Sequence, residues 1–227
     1  MKKTIILFDL DGTLIDSTEA ILRCFDDSFR YFGLSCPPED EIISLIGHPL
    51  DFMYEHLGVS KDKVWDYVDV YKKYYRKRSK AMTKFLPDAK EAIIEASEFA
   101  RLGIVTTKTG EYSQILLEHM GVMEYFEVLI GREHVKYPKP HPEPILKALH
   151  NMKNKDFKDV WMIGDTCMDM VSAKDAGIEA VGVLSGYGKK EDLQRCSNFL
   201  QNDALSAIRL IKMFKKKLKL SDNNLKL

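Results

Sequence analysis

Cysteine is scarce in this chain. Its four cysteines, Cys24, Cys36, Cys167 and Cys196, stand far apart, with no Cys-x-x-Cys pair and no metal-ligand spacing. That excludes a zinc ribbon and a disulfide-framed secreted scaffold. Paired cysteines are not expected, and a reducing cytoplasm suits such usage. A surplus of charge is missing too. The 34 Lys+Arg balance 34 Asp+Glu, so no global field draws the chain to nucleic acid or anionic membrane, and an anionic ligand must be captured locally. No apolar run approaches the roughly 20 residues of a membrane span. The run at 5–8, behind Lys2 and Lys3, stops at Asp9 and is too short for the core of a signal peptide. Internal repeats and low-complexity tracts are absent. The expectation is a soluble cytoplasmic protein, monomer or homodimer, with neither nucleic acid nor membrane as partner.

What remains has the balance of an ordinary globular protein, with 45% hydrophobic and 30% charged residues over 227 positions. Apolar, strand-like runs occur at 4–10, 102–106, 128–130, 160–163 and 180–183. Helical patterns fall between them at 88–100, 111–120, 142–150, 166–176 and 203–219. Short buried strands alternating with helices predict parallel βαβ units: a Rossmann-like, doubly wound α/β core. Residues 16–81 break the rhythm with helical periodicity alone. They predict an all-helical insert, with residues 1–15 and 82–227 forming the core and hinges near 12–17 and 79–86. The aromatic, basic stretch 61–80 could suggest a nucleic-acid surface. Val64, Tyr67, Val68, Tyr71 and Tyr75 fall at helical spacing, however, and predict an amphipathic helix packed within the insert. Near the end, Ala204, Ile208, Ile211, Phe214 and Leu218 form one apolar stripe. Lys212, Lys215, Lys216, Lys217 and Lys219 lie mostly opposite, as in a solvated closing helix.

In open α/β sheets ligands bind beyond the carboxyl ends of the strands, so the residues that end each run belong together. The first run ends in Phe8-Asp9-Leu10-Asp11-Gly12-Thr13, the second in Val105-Thr106-Thr107-Lys108, and the fourth in Ile163-Gly164-Asp165-Thr166 with Asp169 beyond. Carboxylates this close repel one another and raise a pKa unless a cation sits between them. Hard oxygen donors with no His or Cys nearby select Mg²⁺ over zinc or copper. One Asp at a strand end is as readily a helix cap, but four converging from two distant segments are not.

These motifs resemble those of the haloacid dehalogenase superfamily. Phe8-Asp9-Leu10-Asp11-Gly12-Thr13-Leu14 is similar to its first motif and Val105-Thr106-Thr107 to its second. Lys139-Pro140 is similar to its third and Gly164-Asp165-Thr166-Cys167-Met168-Asp169 to its fourth, in order over nearly the whole chain. The resemblance implies that Asp9 is the nucleophile that forms an aspartyl-phosphate and Asp11 the general acid, then base. It implies metal held by Asp9, the Asp11 carbonyl and Asp165, with Asp169 close behind. Thr106 and Thr107 would bind phosphate, and Lys139, rather than Lys136, would neutralise charge. Thr107 stands where many relatives have Asn, and Lys108 is as readily a solvent-facing neighbour. The insert resembles the superfamily's C1-type helical cap. Its Ile46-Gly47-His48-Pro49-Leu50 is similar to a loop that phosphoglycolate phosphatase-like members turn toward the active site, which makes His48 a candidate substrate contact. The implied function is Mg²⁺-dependent hydrolysis of a small phosphorylated metabolite. Alternatives are a β-phosphoglucomutase-like phosphomutase, a pyrophosphatase or nucleotidase, and a non-catalytic phospho-ligand sensor.

Overall fold

The computed structural model describes residues 4–154 and 156–224, with side chains through residue 216. The Leu218 end of the closing stripe and the side chains of Lys217 and Lys219 lie outside the described residues. The chain opens with β1 (Thr4–Phe8), every residue of which is buried. A short β2 (Ile15–Asp16) leads into four helices: α1 (Thr18–Tyr31), α2 (Glu39–Ser44), α3 (Leu50–His56) and α4 (Val64–Met82). β3 (Lys84–Phe85) and α5 (Ala89–Phe99) return to the sheet. There follow β4 (Ala100–Val105), α6 (Gly110–His119), β5 (Phe126–Ile130), α7 (Glu143–Asn151), β6 (Val160–Gly164), α8 (Cys167–Asp175), β7 (Glu179–Val183), α9 (Lys190–Cys196), β8 (Leu200–Gln201) and α10 (Ala204–Asn224). No helix among the described residues is long and apolar enough to cross a membrane.

The six-stranded sheet has the order β5-β4-β1-β6-β7-β8, parallel throughout. Such a sheet buries both faces, which is why its strands read as continuous apolar runs. Alternate residues of β1 serve two cores: Ile6 and Phe8 pack with Leu102, Ile104 and Ile208, and Ile5 and Leu7 with Val105, Ile145 and Met162. The chain winds from β1 to β4 and β5 on one side and to β6, β7 and β8 on the other. β1 and its two neighbours therefore frame the topological switch point, where open sheets bind ligands.

Helices α1–α4 hold a further apolar cluster that includes Phe25, Met53, Tyr54, Tyr67 and Tyr71 and takes in Tyr112 of α6. Phe25 lies 4.7 Å from Tyr54 and edge-on to Tyr71 at 5.3 Å between ring centroids. Val64, Tyr67, Val68, Tyr71 and Tyr75 are the buried face of α4, as their spacing predicts. The two crossings between these helices and the sheet run side by side. β2 pairs antiparallel with β3, and Leu86 N donates to Leu14 O at 3.0 Å.

One expectation is corrected. Cys167 and Cys196 form a disulfide, with Cα atoms 5.8 Å apart, inside the roughly 4.4–6.8 Å such bonds need. The two are 29 residues apart in sequence, so spacing alone shows no pair. Successive parallel units bring α8 and α9 together and close the gap. Cys24 and Cys36 are free.

Candidate active site

Three neighbouring strands end at one rim. After β1, the Asp9 backbone still joins the sheet, donating to Ile163 O at 2.9 Å. The chain then turns through Gly12 at φ +83, a left-handed conformation that favours glycine. This turn leaves Asp9 and Asp11 on the rim, both nearly buried. After β4, Thr106 N donates to Ile130 O at 2.9 Å, setting Thr106 beside Asp9. After β6, Asp165 is fully buried, and Asp169 follows in the first turn of α8.

Lys139, in the loop after β5, is the hub. It is 3% exposed, and its ammonium reaches Asp9 Oδ1 at 2.8 Å, Asp169 Oδ1 at 2.5 Å and Val105 O at 3.0 Å. Burial alone would push its pKa down, but Asp169 and Asp9 outweigh that and hold it well above the usual lysine value. Lys136 instead leans over the Tyr137 ring at 4.9 Å, so the lysine at the site is Lys139.

Carboxylate oxygens of Asp9, Asp165 and Asp169 all lie within 4.8 Å of one another. Burial pushes the Asp9 carboxyl up to about 7; Lys139 pulls it down and Asp169 pushes it up. Burial, then Asp9 and Asp169, hold the Asp165 carboxyl well above its ordinary value. Asp165 accepts hydrogen bonds from Thr13 Oγ1 at 3.0 Å and Tyr187 N at 2.8 Å and pairs with no ammonium among the described residues. Asp169 Oδ2 accepts from Thr166 N at 3.1 Å and Thr166 Oγ1 at 2.8 Å. With all three ionised, these buried carboxylates against one ammonium would carry two uncompensated negative charges, a deficit that a divalent cation would cancel. The donors are all oxygen, so the cluster suits Mg²⁺ chemically.

Asp11 is set apart from that cluster. Lys108 Nζ reaches its Oδ1 at 3.1 Å and its Oδ2 at 2.8 Å, and Ser17 Oγ also donates to it. Lys108 is therefore not a solvent-facing neighbour. Its ammonium is held over the Tyr75 ring at 4.7 Å. Burial would lower its pKa, but Asp11 and Tyr75 keep it raised. Lys108 N also donates to Thr106 Oγ1 at 3.2 Å. The Thr107 hydroxyl donates to Gly47 O of the α2–α3 loop at 2.6 Å. His48 beside it is half-buried and stacks on Phe52 at 4.2 Å between centroids. Burial and then His56 lower its pKa.

A cavity of about 80 Å³ lies between the rim and the helices, lined by Asp9, Asp11, Thr106, Thr107, Lys108 and His48 among others. The sequence had indicated all of these as candidates except Lys108, whose one signal was its place directly after Thr106-Thr107. Lys72, Trp65 and Arg132, which also line the cavity, carried no motif.

A sheet with this switch point and carboxylate rim defines a hydrolase of the haloacid dehalogenase type. The model of the haloacid dehalogenase-like hydrolase family matches residues 6–183, and the chain belongs to that family. It is 33% identical to a phosphoglycolate phosphatase of Aquifex aeolicus, over 82% of this chain and 86% of that one. It is 30% identical to the pyrophosphatase PpaX of Bacillus velezensis, over 87% of this chain and 94% of that one. Among solved structures, it superposes on a haloacid dehalogenase-like family hydrolase of Streptococcus pneumoniae with a TM-score of 0.82 at 27% identity, over 92% and 98% of the chains.

Proposed function

We propose that this chain is a Mg²⁺-dependent phosphatase that hydrolyses small phosphate monoesters through an aspartyl-phosphate on Asp9. The observation that carries this reading is the convergence of Lys139, Asp165 and Asp169 on Asp9, which lines a cavity together with Asp11 and Thr106. Lys139 offsets the negative charge of Asp9, without which a carboxylate and a phosphate dianion would resist approach. Asp9 attacks phosphorus while Asp11 gives a proton to the departing ester oxygen. Asp11, ionised by that transfer, then takes a proton from water. The water oxygen attacks the acyl phosphate, releasing inorganic phosphate and free Asp9. Thr106 hydrogen-bonds a phosphoryl oxygen, and Lys108 holds Asp11 in place through two contacts.

Asp9, Asp165 and the Asp11 carbonyl would hold the cation, with Asp169 behind them, and the cation would supply charge neutralisation to the phosphoryl oxygens. Residues 16–81 act as a cap that closes over the site and excludes water. The proposed compartment is the cytoplasm. Relatives are named for phosphoglycolate and for pyrophosphate, and we assign the reaction to the rim and the choice of substrate to the cavity walls.

Asp9→Asn keeps the shape but removes the nucleophile. Turnover should fall at least about a thousandfold, the scale seen when a covalent nucleophile is lost, with an unchanged circular dichroism spectrum. Phosphatase activity retained by the pure variant would remove Asp9 from this role. Activity that survives excess EDTA would remove the metal.

A further inference from the structure

On the helical side of the cavity, two side chains are unexplained by packing or by the chemistry at the rim. Trp65 is 57% exposed, lines the cavity and stands outside the apolar cluster of α1–α4. Lys72 lines the same cavity half-buried, with no hydrogen-bond or ion-pair partner among the described residues. They share one face of α4 with Val68 and Tyr75, at spacings of three, four and three residues.

This stripe measures distance from the reacting atoms. Tyr75 marks the phosphoryl end, since its ring lies 4.7 Å from the Lys108 ammonium that holds Asp11. At 1.5 Å per residue, Lys72 lies about 4.5 Å along the helix from Tyr75, and Trp65 about 15 Å. The Lys72 ammonium therefore belongs to the end of the stripe nearer Tyr75, and the exposed Trp65 indole to the end farther from it. Val68, Leu50 and Met53 also line this cavity.

From this arrangement we infer that the leaving group carries a planar ring, joined to the phosphoryl by a polar spacer, as in a nucleoside 5′-monophosphate. The inference rests on the phosphatase reading and names its substrate class. The ring lies against Trp65, and Lys72 donates to spacer oxygens. A two-carbon acid would end beside Lys72 and leave Trp65 uncovered. Stacking on an aromatic face accepts any base, so the ring's identity is read only loosely. His48 adds a second flat surface to the cavity lining, and its lowered pKa keeps it a neutral ring rather than an anion-binding cation.

The two tryptophans make the test direct. Trp161 is 8% exposed and stacked on Phe214 in the other core, so Trp65 dominates any ligand-sensitive fluorescence. In Asp9→Asn protein with Mg²⁺, adenosine 5′-monophosphate should quench the emission saturably, whereas 2-phosphoglycolate should not. In otherwise wild-type enzyme, kcat/KM should favour adenosine and uridine 5′-monophosphates over 2-phosphoglycolate, glycerol 3-phosphate and glucose 6-phosphate. Trp65→Ala should lower the nucleotide values by about five- to hundredfold, the loss of one base–aromatic stack, and at least fivefold more than the values for ringless esters. Trp65→Phe should restore most of the difference. Equal losses across the panel, or no preference for nucleotides in the wild type, would overturn the inference while leaving the phosphatase reading intact. Saturable quenching with no hydrolysis of any ester would support the ring site and remove the phosphatase reading.

Discussion

Asp9 and Asp165 are held where a carboxylate is costly. Burial raises both pKa values, Asp9 to about 7, and a carboxyl that keeps its proton more tightly when folded stabilises the fold below its unfolded pKa. That contribution is lost as pH rises through the folded value. The cation-free protein should therefore become less stable from about pH 4 to pH 7, against the trend for salt-bridged carboxylates. A cation that binds only the folded, ionised cluster adds stability by mass action. The expected result is a Tm in EDTA that falls between pH 5 and 7.5, with a larger Mg²⁺-induced rise at pH 7.5 than at pH 5. An increase of equal size at both pH values would show that the cation does not meet these carboxylates. Asp9, Asp11, Asp165, Asp169 and Lys139 were legible in the sequence because each is a chemical group at the end of an apolar run or in a proline-bound loop. Lys108 was not, because whether a lysine faces water or Asp11 depends on a contact 97 residues away.

The Asp165 site is built by turns as well as by side chains. A Cβ on Gly186 would come within 2.1 Å of Asp165 Oδ2 and 2.5 Å of Gly12 O, and one on Gly12 within 2.3 Å of Asp165 Oδ2. Tyr187 N, between two such glycines, donates to the same carboxylate oxygen at 2.8 Å. Gly186→Ala should push this loop off Asp165. It should weaken Mg²⁺ binding at least tenfold by calorimetry and cost about 1–3 kcal/mol of stability, the usual range for overpacking. Unchanged Mg²⁺ affinity in a folded variant would show that the loop does not position Asp165. The β7–α9 connection is where sequence reading missed most. α9 and β8 are short and polar, with burial patterns that resemble loops, and the residues that join β2 to β3 lie some seventy positions apart. The apolar runs of β1 and β4 and the helically spaced apolar stripe of α4 follow from their own pattern; a two-residue strand is defined only by its partner.

At the scale of the whole molecule, the helices and the sheet meet through a few polar contacts around the cavity. Thr107 Oγ1 reaches Gly47 O, Thr18 Oγ1 lies 3.0 Å from Tyr187 Oη, and Arg132 lies 3.7 Å from Asp51. These are contacts a hinge can break and remake, beside one aromatic contact in which Tyr75 of α4 lies 6.3 Å from Tyr112 of α6 between ring centroids. If the rim performs the reaction and the helices read the leaving group, changes on the two sides should leave different kinetic signatures. Lys139→Ala removes a charge that every phosphoryl group meets, so it should lower kcat for all esters by a similar factor, about 10²–10³, as for other transition-state charge stabilisers. His48→Ala would then remove a contact with the leaving group. It should change kcat/KM by factors that differ between esters, within the roughly 10–200-fold range of single-contact discrimination. Thr107→Val should loosen the Gly47 loop and raise KM more than it lowers kcat. Measured over one panel of esters, a His48→Ala profile parallel to that of Lys139→Ala would mean that the helical side takes part in the chemistry itself, and the division between rim and helices would have to be given up.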